Sequence, residues 1–297
     1  MRKIYYNKPA DTLALSVDNT TEANLRIDTY SGVGCLVNYG DGNVQILPSG
    51  SDLTHVYATN FTGDVLVTPL GGYLDIRRFQ STGSTAWSFD LSVFVPLTGL
   101  NYFRLNNLPN TNITGSINSF SGAIGLTYFQ LYNLPNANII GSINSFSGAT
   151  DLISFQLYNL PNANIIGGSS VFSNNTNLRD FLLNTSTTSN IVMNYDDILN
   201  IWQSSVDIRH IDSGISASKV TTSSFNFDSL RISALYFQSI GLSTQSMDNM
   251  IIALDNSFIV QSSPKTIYLN LNAPHSGSPA VITALSNLAN KDITVVL

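Results

Sequence analysis

The sequence predicts a mixed, β-rich fold: a small N-terminal β-sandwich over residues 1–70, followed by a repeat solenoid over residues 71–297. Three observations predict it. From Leu100 onward the chain repeats three times, as LNYFRLNNLPNTNITGSINSFSGAIG, LTYFQLYNLPNANIIGSINSFSGATD and LISFQLYNLPNANIIGGSSVFSNNTN. Leu100, Leu126, Leu152 and Leu178 recur every 26 residues, and so do Phe103, Phe129, Phe155 and Phe181. Before residue 70 nothing repeats, and short alternating apolar runs are separated by Gly, Asn, Asp and Ser, the pattern of half-buried strands and tight turns.

In the repeats, Leu105, Leu131, Leu157 and Leu183 keep the same period, as do Phe120, Phe146 and Phe172. A 20–29-residue period carrying L-x-x-F-x-L-x-x-L is the leucine-rich-repeat pattern, one short strand plus a return per unit. A single unit cannot bury its apolar face, so the units must stack around a continuous core. Looser versions extend the series to about nine rungs. Leu74-Asp75-Ile76-Arg77-Arg78-Phe79 reads as the first. Val206 to Ile211, Leu235 to Ile240, Ile267 to Leu269 and Ile293 to Val295 read as the last four. The returns of the clean repeats (GSINSFSGA) are too turn-like for α-helices and direct Ile117, Ile143, Phe120, Phe146 and Phe172 inward. The C-terminal half is expected to have helical returns. Asp196 and Asp197 precede one such run and suit a helix start. Ser243 precedes Met247, Met250, Ile251 and Leu254 at helical spacing, and Ser278-Pro279 forms an N-cap and first helical residue.

The N-terminal runs are TLALSV, NLRIDTY, CLVNY, NVQIL, THVYA and DVLVTP, with Gly40-Asp41-Gly42 as a hairpin turn. Cys35, the single cysteine, lies in an apolar run; it excludes an internal disulfide and reads as a core residue.

Composition excludes several functions. Charged residues make up 11% of the chain against a usual ~25%. The net charge of −6 lacks the basic face of a nucleic-acid binder. No apolar run approaches the ~20 residues of a membrane span, so no membrane insertion is expected, and the N-terminus shows no apolar export segment. No G-x-S-x-G, H-E-x-x-H, phosphate-loop or Cys/His metal spacing occurs. Neither a metal nor a cofactor is expected. Asp180 and Asp207, on neighbouring rungs, are the best approximation to a glycosidase acid pair. Solvated charges pairing across strands explain them more simply, and the sequence predicts a protein that is not an enzyme.

The exposed face of the rung sheet remains. Side chains alternate along a strand, so one column faces outward as Asp75, Arg104, Gln130, Gln156, Leu182, Asp207, Tyr236 and Tyr268. A second reads Arg77, Asn106, Tyr132, Tyr158, Asn184, Arg209, Gln238 and Asn270, with Tyr102 and Tyr128 flanking. Tyr and Arg are favoured interface anchors, and aromatic rings beside amides also suit sugars. The bland alternative is a polar ladder that only stabilises the sheet. The aromatics point outward rather than into the core, which favours a binding face.

NYGDG, then HVYA, then GDVLV resembles the polycystic-kidney-disease-like (PKD-like) immunoglobulin-type domains, in which His55 and Tyr57 match structural positions. Such a domain leading into irregular leucine-rich repeats resembles a group of proteins from Bacteroidetes bacteria and their phages. The resemblance implies a surface adhesin or a virion protein. The bacterial proteins normally carry export and anchoring segments that this sequence does not show, which turns the expectation toward a tail or head appendage of a virion. Such a protein is expected to dock on other virion proteins through residues 1–70 and to present the rung face to a host glycan or protein. A secreted bacterial adhesin and a purely structural, self-associating subunit are the alternatives.

Overall fold

The computed structural model describes residues 12–71, 76–167, 171–172, 175, 177–184, 190–192, 210–213, 234–236, 244–257, 265–269 and 274–297. The fold is β-rich and organised around one large mixed sheet. Strand β1 (Leu13–Thr29) buries Leu13, Leu15 and Val17, then Ala23, Leu25 and Ile27, so its alternation restarts midway. The restart is a bulge: the pairing with β4 (Asp52–Pro69) shifts register between Val17 and Glu22, and Asn19 takes a φ of 50°. Bulges bend a strand and re-aim its side chains, allowing one long strand to feed two stretches of core. Strands β2 (Cys35–Asn38) and β3 (Val44–Leu47) form the hairpin expected around Gly40-Asp41-Gly42. Gly40 is required there: its φ is 81°, and a Cβ would lie 2.6 Å from the Asp64 carbonyl oxygen. Cys35 is fully buried.

The repeats follow as β5 (Ile76–Thr82), β6 (Tyr102–Asn106), β7 (Thr114–Ser116), β8 (Tyr128–Tyr132), β9 (Asn138–Ser142), β10 (Ser154–Tyr158), β11 (Asn164–Ile166), β12 (Asp180–Asn184), β13 (Asn190–Val192) and β14 (His210–Ser213). The rung strands pair in parallel in the order β5, β6, β8, β10, β12, β14, and the return strands β7, β9, β11 and β13 form a second parallel sheet. Between the two lies the core. Phe79, Phe103, Phe129, Phe155 and Phe181 stack rung on rung with centroids 5.6–5.8 Å apart and planes within 20°. Phe94, Phe120, Phe146 and Phe172 come from the returns and meet this stack edge-on or tilted, Phe120 lying 4.9 Å from Phe129. Ile117 and Ile143 are buried with them, at the starts of short 3-10 turns, Ile117–Phe120 and Ile143–Phe146. Each turn opens on a cap 26 residues from the next: Asp90, Ser116 and Ser142 accept from the backbone amides of Ser92, Asn118 and Asn144.

The structure corrects the expected registers. Rung β5 aligns Phe79 with Phe103 and Ser81 with Leu105, rather than Ile76 with Leu105. Stacking Phe79 on Phe103 decides this, and Gln80 and Thr82 replace Asp75 and Arg77 in the outward columns, with Arg78 beside the flanking Tyr102. In β14, Ile211 pairs with Phe181 and Asp212 with Leu182, so Asp212 takes the place expected for Asp207. The expected N-terminal sandwich also differs. Among the described residues, β1–β4 form no sheet of their own; they continue the rung sheet in the order β5-β1-β4-β2-β3. The continuation exists because β1 offers one edge to β4 and the other, from Arg26 to Thr29, to β5.

Strands β15 (Ala234–Tyr236), β16 (Lys265–Tyr268) and β17 (Ile293–Val296) form a separate parallel sheet. The expected helices occur at Thr244–Ser257, burying Met247, Met250, Ile251 and Leu254, and at Pro279–Asn290, capped by Ser278. The helix expected after Asp196 and Asp197 falls outside the described residues.

Phe129→Ala removes a ring packed between two neighbours in its own stack and two from the returns. It should destabilise the protein by about 3–5 kcal/mol, read by urea denaturation, with Phe129→Leu costing less. The Asp90 carboxyl is held below its ordinary range, first by the Ser92 amide and also by the Thr114 hydroxyl. Its contribution is therefore complete above the usual carboxylate pKa and is lost as pH falls through the lowered value. The stability gap between wild type and Asp90→Ala, measured from pH 6 down to pH 2, should shrink toward the acid end.

Candidate functional site

The same alternation that buries the phenylalanines turns their neighbours outward. In β6, Phe103 and Leu105 go in while Tyr102, Arg104 and Asn106 come out; β8 repeats this with Tyr128, Gln130 and Tyr132. The parallel register sets Tyr102 beside Tyr128, Arg104 beside Gln130, Gln130 beside Gln156, and Tyr132 beside Tyr158. The chain then turns sharply out of each rung at Asn107, Asn133 and Asn159, whose φ values are 54°, 55° and 49°. Asparagine tolerates that left-handed conformation. The three link into a ladder, with Asn133 Nδ2 donating to Asn107 Oδ1 and Asn159 Nδ2 to Asn133 Oδ1.

These residues line a shallow depression of about 420 Å³, bounded by Tyr102, Arg104, Asn106, Asn107, Tyr128, Gln130, Tyr132 and Gln156. The rings are ordered before any ligand arrives. Tyr132 stacks on Tyr158 at 4.4 Å and 12°, and Tyr102 tilts against Tyr128 at 5.2 Å. The Arg78 guanidinium lies 3.9 Å above the Tyr102 ring and is itself paired to the buried Asp28, 2.8 Å from Oδ2. Gln130 and Gln156 both donate to the Ser154 hydroxyl, at 3.3 and 3.1 Å.

Arg104 differs from Arg78. The difference is that it forms no ion pair with the described residues; its Nε, like that of Arg78, is buried without a well-aligned hydrogen-bond acceptor. Asn106 Oδ1, two residues on, is buried without a donor. Buried polar atoms are ordinarily satisfied, so the floor of the depression holds an unused donor and an unused acceptor. No carboxylate lines it, although the whole chain carries a net charge of −6.

Seven residues singled out in the sequence thus converge, with Tyr158 stacked at the border. Asn107 was not foreseen; the signal for it is an Asn recurring at the turn after each rung. Asp207, Arg209 and Gln238 lie outside the described residues, and Tyr236 belongs to β15, in the separate C-terminal sheet. Asp180 aligns with His210 across the strands. Away from the rungs, His55 sits in a buried aromatic cluster, stacked on Tyr39 at 4.1 Å, edge-on to Tyr57 and 2.8 Å from Asp41. Burial pushes both phenols above their ordinary range. Among the described residues there is no cluster of three metal-ligating side chains, and no helix is long and apolar enough to cross a membrane. Neither the protein-family models nor the curated proteins include a match to the sequence.

If the tyrosines stabilise one another across rungs, a double-mutant cycle of Tyr132→Ala and Tyr158→Ala should give a coupling of about 0.5–1.5 kcal/mol. Thermal or urea unfolding reads it. A coupling near zero would mean that the stacked rings are held for something other than the sheet's own stability.

Proposed function

We propose that the protein is a non-enzymatic adhesion protein of a phage particle, built as a leucine-rich-repeat solenoid whose N-terminal strands carry PKD-like motifs. Its rung face binds a glycan or protein of the host surface. The observation that carries this reading is the depression on β6, β8 and β10, where ordered tyrosines surround polar atoms without partners. Prearranged rings lower the ordering entropy that association must overcome. Tyrosine also supplies large contact area at small conformational cost, and arginine is a favoured interface anchor.

Placement in a virion rests on the resemblance in architecture. Docking on the particle falls to the opposite end of the large sheet. There β3 is the terminal strand, and Leu36, Val44 and Ile46 are exposed on it and its neighbour. An edge strand with apolar side chains is a template for a further strand or a flat partner surface. A purely structural subunit would instead pack its rung face on a neighbouring copy.

The reading predicts saturable binding of purified protein to intact host cells, weakened at least tenfold in a Tyr132→Ala/Tyr158→Ala variant that still folds. Flow cytometry of labelled protein measures it. Absence of binding by the wild type would turn the reading to the structural subunit.

A further inference from the structure

The depression departs in charge from the chain as a whole. The chain has 19 acidic and 13 basic residues, yet the lining of this site holds one arginine and no acid. The neighbouring arginines are committed. Arg78 is paired to Asp28 and stacked over Tyr102, while Arg26 and Arg77 also approach Asp28, at 3.7 and 3.9 Å. Arg104, by contrast, has no carboxylate partner among the described residues, and its Nε is already stripped of water. A guanidinium presents planar, paired N–H groups that match a carboxylate bidentately.

We propose that the rung face recognises an acidic saccharide, with Arg104 engaging a sugar carboxylate. This rests on the adhesion reading above and names the chemistry of its ligand. One uncommitted cation balances one negative charge, which fits a carboxylate better than a phosphate dianion. The sugar ring lies against Tyr128 and Tyr132, whose faces accept C–H groups. The Gln130 and Gln156 amides are tethered at their nitrogen ends to Ser154, which leaves their carbonyl oxygens for sugar hydroxyls. Asn106 Oδ1, buried and without a donor, accepts another hydroxyl. Rungs ~4.8 Å apart present these groups in steps close to the length of one sugar residue, which suits an extended acidic chain.

The test titrates the full-length protein calorimetrically with oligogalacturonate and sialyllactose, and with their neutral counterparts, methyl-esterified oligogalacturonate and lactose. Inorganic phosphate serves as the bare-anion control. At least one carboxylated sugar should bind tenfold or more tightly than its neutral counterpart and than phosphate. Arg104→Gln should abolish that preference without lowering the thermal midpoint, while Tyr132→Ala weakens acidic and neutral sugars alike. Equal affinity for acidic and neutral forms, or an unchanged preference in Arg104→Gln, overturns the proposal. If neither carboxylated sugar binds while wild-type protein still attaches to host cells through its tyrosines, the acidic-saccharide assignment falls and the adhesion reading stands. Failure of both assays removes both.

Discussion

The structure depends on the register that the phenylalanine stack imposes. Side chains in a strand alternate with a period of two, so a slip by one residue would turn the whole phenylalanine column out to water. Five rings packed face-on, each braced by a ring from a return, make that slip prohibitive. Once the register is set, no freedom remains for the outward residues. Tyr132 must lie on Tyr158, and Arg104 must lie beside Gln130. The candidate site is thus the outer image of the core, its backbone spacing set by the core's register.

A stack of repeats has ends, and an uncovered end exposes the core's apolar cross-section. The N-terminal strands answer that problem at one end. β1 joins β5 along Arg26–Thr29, and Trp87, fully buried, donates from its indole to Ser81 Oγ, which in turn donates to the Asn24 carbonyl. Ser81 stands where later rungs have leucine, so the first rung exchanges an apolar contact for a hydrogen-bonded link to its cap. The buried Asp28, surrounded by Arg26, Arg77 and Arg78, ties the cap to the rung face through the Arg78–Tyr102 stack. A segment with the turn pattern of a separate module is therefore continuous with the sheet it covers.

The repeats were legible because identical residues recur at a fixed period, and period alone distinguishes a stacked strand from a chance apolar run. Where the identity fades, spacing becomes ambiguous. Ile76 and Phe79 both fit an inward position, as do Ile208 and Ile211, and only the ring opposite Phe79 or the pairing opposite Phe181 decides. Alternation along Leu13–Val17 or Val65–Val67 shows that a segment is a strand. It does not show which edge pairs with which, so a sandwich and a sheet extension read alike. From β6 to β12 the outward columns could be written down residue by residue. Their state of pairing could not, because Arg78 and Arg104 look equivalent in sequence and differ only in that Asp28 arrives from a strand about fifty residues upstream of one of them.

That difference gives the face its chemistry. Bringing a guanidinium partly out of water without an acceptor is unfavourable, and at the cap this chain supplies an aspartate to offset the cost. At Arg104 it supplies two tyrosines, amides and an unmatched carbonyl oxygen instead. A ladder selected only for sheet stability would place Gln or Thr there, as its neighbours Gln80, Gln130 and Gln156 already do in the same column. Charge set into a preformed aromatic frame, with no counter-charge among the described residues, is the arrangement expected when the counter-charge belongs to a ligand.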